Sequence, residues 1–269
     1  MDHHGGPTVS GDGHGADAPV LLQSRSRAFD GAAVALEGMT AAAHAALGTR
    51  WRLVGGLMTL LTVRLLAPQQ PDQRYSADAD LGVDVAQLRE APLLVAMRSQ
   101  GFEKVDGSRL RKVAVDVEAN VDLVGAADHG RFGRNVPAGD FVVDVTPALG
   151  AALRLPARVA SVRALLTDGS TVVADDVLLP HPVAALALKV HAWQSLKRTQ
   201  DADDVAALLR SLAGSGARDA DVWTLHPDLT VAREDLRRRG QIWAPHMVRD
   251  AGWTSADVAE LKYCARTIT

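Results

Sequence analysis

Asp78 and Asp80 stand two residues apart in Arg74-Tyr75-Ser76-Ala77-Asp78-Ala79-Asp80-Leu81, at the head of a stretch that alternates Leu81, Val83 and Val85. That alternation reads as a strand over Ala79 to Val85. Residues two apart on a strand face the same side, so the two carboxylates project together. Side by side they raise each other's pKa unless a cation lies between them. A divalent ion is the usual remedy, and oxygen-only ligands favour Mg2+ or Mn2+ over zinc. The plainer alternative is an Asp pair that caps a strand end in water.

A third acid, Asp122, is embedded in the apolar run Val121-Asp122-Leu123-Val124. Burying an unpaired carboxylate is expensive, so an acid in such a run needs a partner. If its strand lies beside the one carrying Asp78 and Asp80, Asp122 completes a metal site. Asp116, in Ala114-Val115-Asp116-Val117, is the competing choice. Lys189 interrupts an apolar helical stripe with Ala185, Ala192, Trp193 and Leu196 on its face. It either snorkels to water or meets an anion such as a nucleotide triphosphate. Asp201 and Asp204 follow, and Asp204 returns toward the same face.

The elements that must position these residues can be read in outline. A helix spans Phe29 to Leu47, and a short strand Arg52-Leu53-Val54 runs into Gly55-Gly56. A helix over Leu57 to Leu66 follows. Two glycines before a helix N-terminus let backbone approach an anion, although a tight turn would use them too. A helix is expected over Glu90 to Gly101, then strands over Arg111 to Val117 and Asn120 to Val124 with a turn at Glu118-Ala119. Further strands fit Phe141 to Val145 and Thr171 to Val177. From Pro182 on the pattern is helical, over 182–197, 201–213, 230–239 and 254–266. The expected organisation is α+β: a tail over 1–18, a mixed α/β domain over 19–180 with a mixed β-sheet, and a helical domain over 181–269. The histidines of the tail, His3, His4 and His14, could bind metal weakly, but a solvated leader accounts for them better.

Composition narrows the function. Apolar residues make up 47% of the chain, enough for a sizeable core, while aromatics are only 4%. A net charge of -3 argues against a globally basic protein that coats nucleic acid. Cys264 is the single cysteine, so no internal disulfide calls for an oxidising compartment. No apolar run reaches the roughly 18 residues of a membrane span, and Met1 to Gly6 lacks the look of a secretory signal. A soluble, cytoplasmic protein with no membrane partner is the expectation.

Taken in order, hxGG, helix, RYSADADL, VDL and the lysine followed by D-x-x-D resemble the AbiEii-type nucleotidyltransferase toxins of the DNA polymerase β-like nucleotidyltransferase superfamily. The resemblance runs from about Trp51 to Leu209, and RYSADADL is its most specific piece. It implies a polymerase β-like core in which Gly55 and Gly56 line the nucleotide phosphates and Asp78, Asp80 and Asp122 hold metal. Lys189 would touch the phosphates, with Asp204 the acid after it, and Ser76 lies among the substrate-binding positions. The family often has Thr after the two glycines. Here Leu57 stands there, and a hydroxyl contact is lost unless Thr59 substitutes.

The resemblance further implies transfer of NMP from an NTP to an acceptor, with release of pyrophosphate. Two metal ions held by the aspartates would clamp the α-phosphate and neutralise the leaving group. The 3′ end of tRNA is the leading acceptor, in a growth-inhibiting toxin with a cognate antitoxin protein as a partner. Basic residues at Arg109, Arg111, Lys112, Arg131 and Arg134, and at Arg233 and Arg237 to Arg239, could form an RNA track if one face gathers them. The alternatives are a transferase acting on a small aminoglycoside-like molecule or on protein, and a non-catalytic nucleotide-binding protein. A phosphate on Ser76 would block the site, though most such serines cap a turn.

Overall fold

The computed structural model describes residues 18–69, 75–114, 116–126, 132–196 and 198–215, with isolated positions between 254 and 263. The expected tail with its histidines, the helix over 230–239, and Arg74, Arg131, Arg233, Arg237 to Arg239 and Cys264 lie outside the described residues, as does most of 254–266.

The fold is mixed α and β. Strands β1 (Val20–Gln23), β9 (Arg158–Leu165) and β10 (Thr171–Leu179) form one sheet in the order β1-β9-β10. The second sheet carries the acids. Its central path is β2 (Trp51–Val54), β3 (Ala79–Asp84), β6 (Val117–Ala126), β5 (Arg109–Ala114) and β4 (Glu103–Lys104). Strand β3 is antiparallel to β2 and parallel to β6. The other edge of the long β6 is shared. Its first half pairs antiparallel with β5, and its end pairs parallel with β8 (Phe141–Thr146), which in turn holds β7 (Gly133–Ala138).

Helix α1 (Arg27–Leu47) starts at Ser26, whose hydroxyl accepts from the Phe29 N–H, and packs on β6 and β10. Gly31 permits the close approach, since a β-carbon there would lie 2.2 Å from the Glu118 carbonyl oxygen on β6. Helix α2 (Gly55–Leu66) continues straight from β2, and its interior face, Leu57, Met58, Leu60 and Leu61, is fully buried. Helix α5 (Pro147–Arg154) and helices α6 (Pro182–Leu196) and α7 (Thr199–Gly214) close the core. Both α6 and α7 pack against α2, and α6 also against α5. No helix among the described residues is long and apolar enough to cross a membrane.

Three expectations change. The helix expected over Glu90 to Gly101 is shorter, α4 (Leu93–Ser99), and a separate short helix, α3 (Val85–Glu90), precedes it. Pro92 lacks the N–H that a continuous helix needs, and its neighbour Ala91 is extended. Val85 leaves the strand because the Asp84 carboxylate accepts the Ala86 N–H and starts α3. The β5–β6 turn falls between Ala114 and Val117, not at Glu118-Ala119, which are extended inside β6. Asp116 takes a φ of 64°, a left-handed conformation that Asp tolerates better than most residues.

Candidate metal and nucleotide site

Register alone brings two of the acids together. Asp80 on β3 lies directly beside Asp122 on β6, and Val54 at the end of β2 lies on Asp80's other side. Asp78 sits just before β3, where the Ser76 hydroxyl donates to its Oδ1 at 2.8 Å. One oxygen from each of Asp78, Asp80 and Asp122 falls within 4.8 Å of the others, and all three residues are half-buried. Asp116, the competing third acid, is exposed at the hairpin turn at the far end of β5.

Gly55 fixes the floor of the site. Its φ is +72°, and a β-carbon there would lie 1.7 Å from Asp80 Oδ2. Only glycine lets the α2 backbone begin directly beneath that carboxylate. The N-cap residue of α2, Val54, makes no side-chain cap hydrogen bond, and a helix N-terminus of this kind can receive an anionic ligand. Gly56 is buried in the same turn. Leu57 points into the core at 1% exposure, and Thr59 does not substitute for a phosphate-binding hydroxyl. Its side chain is buried and donates to the Gly55 carbonyl.

The electrostatics are those of a crowded anionic site. Burial pushes the Asp80 carboxyl up to about 7; Asp78 and Asp122 add to the rise, while Lys189 and Arg109 oppose it. Arg109 lies directly opposite Asp122 across the β5–β6 pair. Its Nε donates to Oδ1 at 2.8 Å and its Nη2 to Oδ2 at 2.6 Å. This hydrogen-bonded pairing holds the guanidinium above its ordinary pKa.

Lys189 is 5% exposed, with Nζ 2.6 Å from Asp204 Oδ2 and 3.3 Å from Asp201 Oδ1. Burial pulls the ammonium pKa down, but the two carboxylates, with Asp80 behind them, carry it above its ordinary value. The α6 lysine is therefore a charged, pinned group that ties α7 to the edge of the site. Counting Asp201 and Asp204, five carboxylates face two cations, Lys189 and Arg109. Among these groups a divalent ion fits the charge and the oxygen-only donors at Asp78, Asp80 and Asp122.

The basic residues divide. Arg109 and Arg111 share the solvent face of β5, but each is paired, Arg111 with Glu118 at 3.8 Å. Lys112 points to the other face, with Nζ 5.9 Å from the centre of the Phe102 ring. Arg134 is exposed on β7. The described part of the sheet thus offers mixed charge beside the acids. Ser76, at 5% exposure, orients Asp78, and its hydroxyl is poorly placed to receive a modification.

Two relationships escape the sequence. One is the pairing of Arg109 with Asp122, which depends on the β5–β6 register. The other is the contact of Gly55 with Asp80, whose only signal is a glycine immediately after a strand. Comparison with protein-family models and with curated proteins gives no match, so the likeness to the nucleotidyltransferase toxins is carried by the motif residues alone.

Proposed function

We propose that this chain is a metal-dependent nucleotidyltransferase. The observation that carries the reading is the convergence of Asp78, Asp80 and Asp122 within 4.8 Å of one another, beside the uncapped N-terminus of α2. Asp78 and Asp80, with Asp122 as the third acid, would hold Mg2+ or Mn2+. When bound, the ion supplies charge neutralisation for the triphosphate and lowers the pKa of the attacking hydroxyl.

The chain's own residues do the positioning. Gly55 and Gly56 receive the triphosphate on backbone N–H groups, and Ser76 keeps the Asp78 carboxylate aimed at the site. Lys189 contributes a buried positive charge from the side, held in place by Asp204 and Asp201. The acceptor hydroxyl oxygen bonds to the α-phosphorus, and the bond from that phosphorus to the bridging oxygen of the β-phosphate breaks. Pyrophosphate leaves with the bond's electron pair, and the hydroxyl proton passes to solvent.

The 3′ end of tRNA is the first acceptor to test, in the setting of a toxin restrained by an antitoxin protein. The pairing of Arg109 and Arg111 with Asp122 and Glu118 favours a second reading, in which a small polar molecule is the acceptor, because paired arginines attract a polyanion weakly. Labelled NTPs offered separately with total tRNA, an aminoglycoside and a protein mixture decide between them. The reading expects label on one acceptor with the wild-type chain and none with Asp80→Ala. Equal labelling by Asp80→Ala would refute it.

A further inference from the structure

One register row crosses four neighbouring strands of the second sheet: Val54 on β2, Asp80 on β3, Asp122 on β6 and Arg109 on β5. The ends of this row attract anions, and its middle repels them. At one end Gly55 follows Val54 and opens α2, whose N-terminus can receive an anion. At the other end stands the Arg109 guanidinium. Three strand spacings of about 4.8 Å separate the two outer strands, about 14 Å in all. A triphosphate that rests its β- and γ-phosphates at Gly55 and its α-phosphate at the acids leaves Arg109 on the side away from the pyrophosphate. An in-line displacement brings the nucleophile in opposite the leaving group. The attacking hydroxyl therefore enters on the Arg109 side.

The two cations beside the acids differ in their freedom to move. Lys189 is buried and pinned by Asp201 and Asp204. The Arg109 side chain is 44% exposed, and among the described residues its guanidinium hydrogen-bonds to Asp122 alone. Asp106, in the turn before β5, already accepts the backbone N–H groups of Ser108 and Arg109. Those bonds fix the Arg109 backbone while leaving its side chain able to turn. The guanidinium is held by the charge of Asp122, and that hold weakens when the carboxylate shares its charge with a divalent ion. The same planar fork that fits a carboxylate fits a phosphate, so an exposed arginine can exchange one for the other.

We propose that Arg109 docks the acceptor: once Asp122 shares its charge with a divalent ion, the guanidinium exchanges that carboxylate for a phosphate group next to the attacking hydroxyl. This narrows the acceptor to a hydroxyl with a phosphate neighbour, as at the 3′ end of a nucleic acid or in a phosphorylated small molecule. A polycationic aminoglycoside does not fit. The inference rests on the nucleotidyltransferase reading, which supplies the direction of attack.

The test measures binding to the full chain without NTP, in Mn2+ and in EDTA, at constant ionic strength. One probe is a short single-stranded RNA with a free 3′ hydroxyl, followed by fluorescence anisotropy. The other is glycerol 3-phosphate, followed by calorimetry, and the arm that binds identifies the source of the phosphate. Mn2+ should tighten the binding of one probe roughly tenfold or more in the wild-type chain. Arg109→Gln should lose this gain, and Arg109→Lys should keep part of it, because an ammonium meets phosphate as a point charge. Screening by cations weakens phosphate binding, so a gain in Mn2+ is not an ionic-strength effect. The Arg109 side chain is largely in solvent, so both variants should fold, and thermal melting checks this. An equal gain in Arg109→Gln, or no gain in a wild-type chain that binds Mn2+, overturns the inference alone. A wild-type chain that does not bind Mn2+ overturns the nucleotidyltransferase reading and this inference with it.

Discussion

Arg109 and Asp122 face each other across β5 and β6, and two hydrogen bonds, of 2.8 and 2.6 Å, join the guanidinium to both oxygens of the carboxylate. A cation therefore already sits on the third acid of the cluster, so Arg109 and a divalent ion compete for it. Replacing Arg109 by Ala should tighten Mn2+ binding severalfold in calorimetry. The stability loss should stay near 1 kcal/mol, because the pair is partly exposed. Weaker Mn2+ binding in Arg109→Ala would show that the arginine orients Asp122 for the ion.

Gly55 gives a prediction with an internal control. Gly48 also has a positive φ, +60°, but nothing lies within 4 Å of where its β-carbon would be. Gly48→Ala should therefore show the backbone penalty alone, about 1–2 kcal/mol. Gly55→Ala adds the collision with Asp80, so denaturant unfolding should show a larger loss, and the displaced carboxylate should abolish metal binding.

The lysine on α6 separates structural from chemical roles. Lys189→Ala leaves Asp201 and Asp204 buried without their shared cation, and breaking such a contact costs about 3–5 kcal/mol. Asp204→Asn should destabilise more than Asp201→Asn, since its contact with Nζ is the shorter. Denaturant titration of the three variants checks this ordering.

Asp80 sets a pH dependence. Its carboxyl is raised from 3.8 to about 7, so between these values the folded state holds a proton that the unfolded state has released. Stability must then fall as pH rises through that window, by at most about 4 kcal/mol. Asp80→Asn should flatten the decline. Because a divalent ion binds the ionised form, Mg2+ should raise the melting temperature more at pH 8 than at pH 5.5.

The acids of this site were legible in the sequence because their spacing follows strand geometry. Asp78 and Asp80 open an alternating run, and Asp122 interrupts an apolar one, so their strands could be expected to lie side by side. The partner of Asp122 was not legible. A turn at Glu118-Ala119 would have set Asp122 opposite Val115. The observed turn, between Ala114 and Val117, sets it opposite Arg109, and Asp116 makes that turn with a left-handed backbone. Strands β1, β7 and β9 gave weak signals for separate reasons. Strand β1 is four residues long and β7 contains Pro137. The inward positions of β9 are Ala160, Val162 and Ala164, too small to mark an alternation clearly.

The most direct test of the acid cluster is Mn2+ binding followed by electron paramagnetic resonance, with and without NTP, in the wild-type chain and in Asp80→Asn. The wild-type chain should bind Mn2+, NTP should tighten this binding, and Asp80→Asn should lose both effects while its melt remains cooperative. Mn2+ binding of equal strength in the folded Asp80→Asn variant would contradict it.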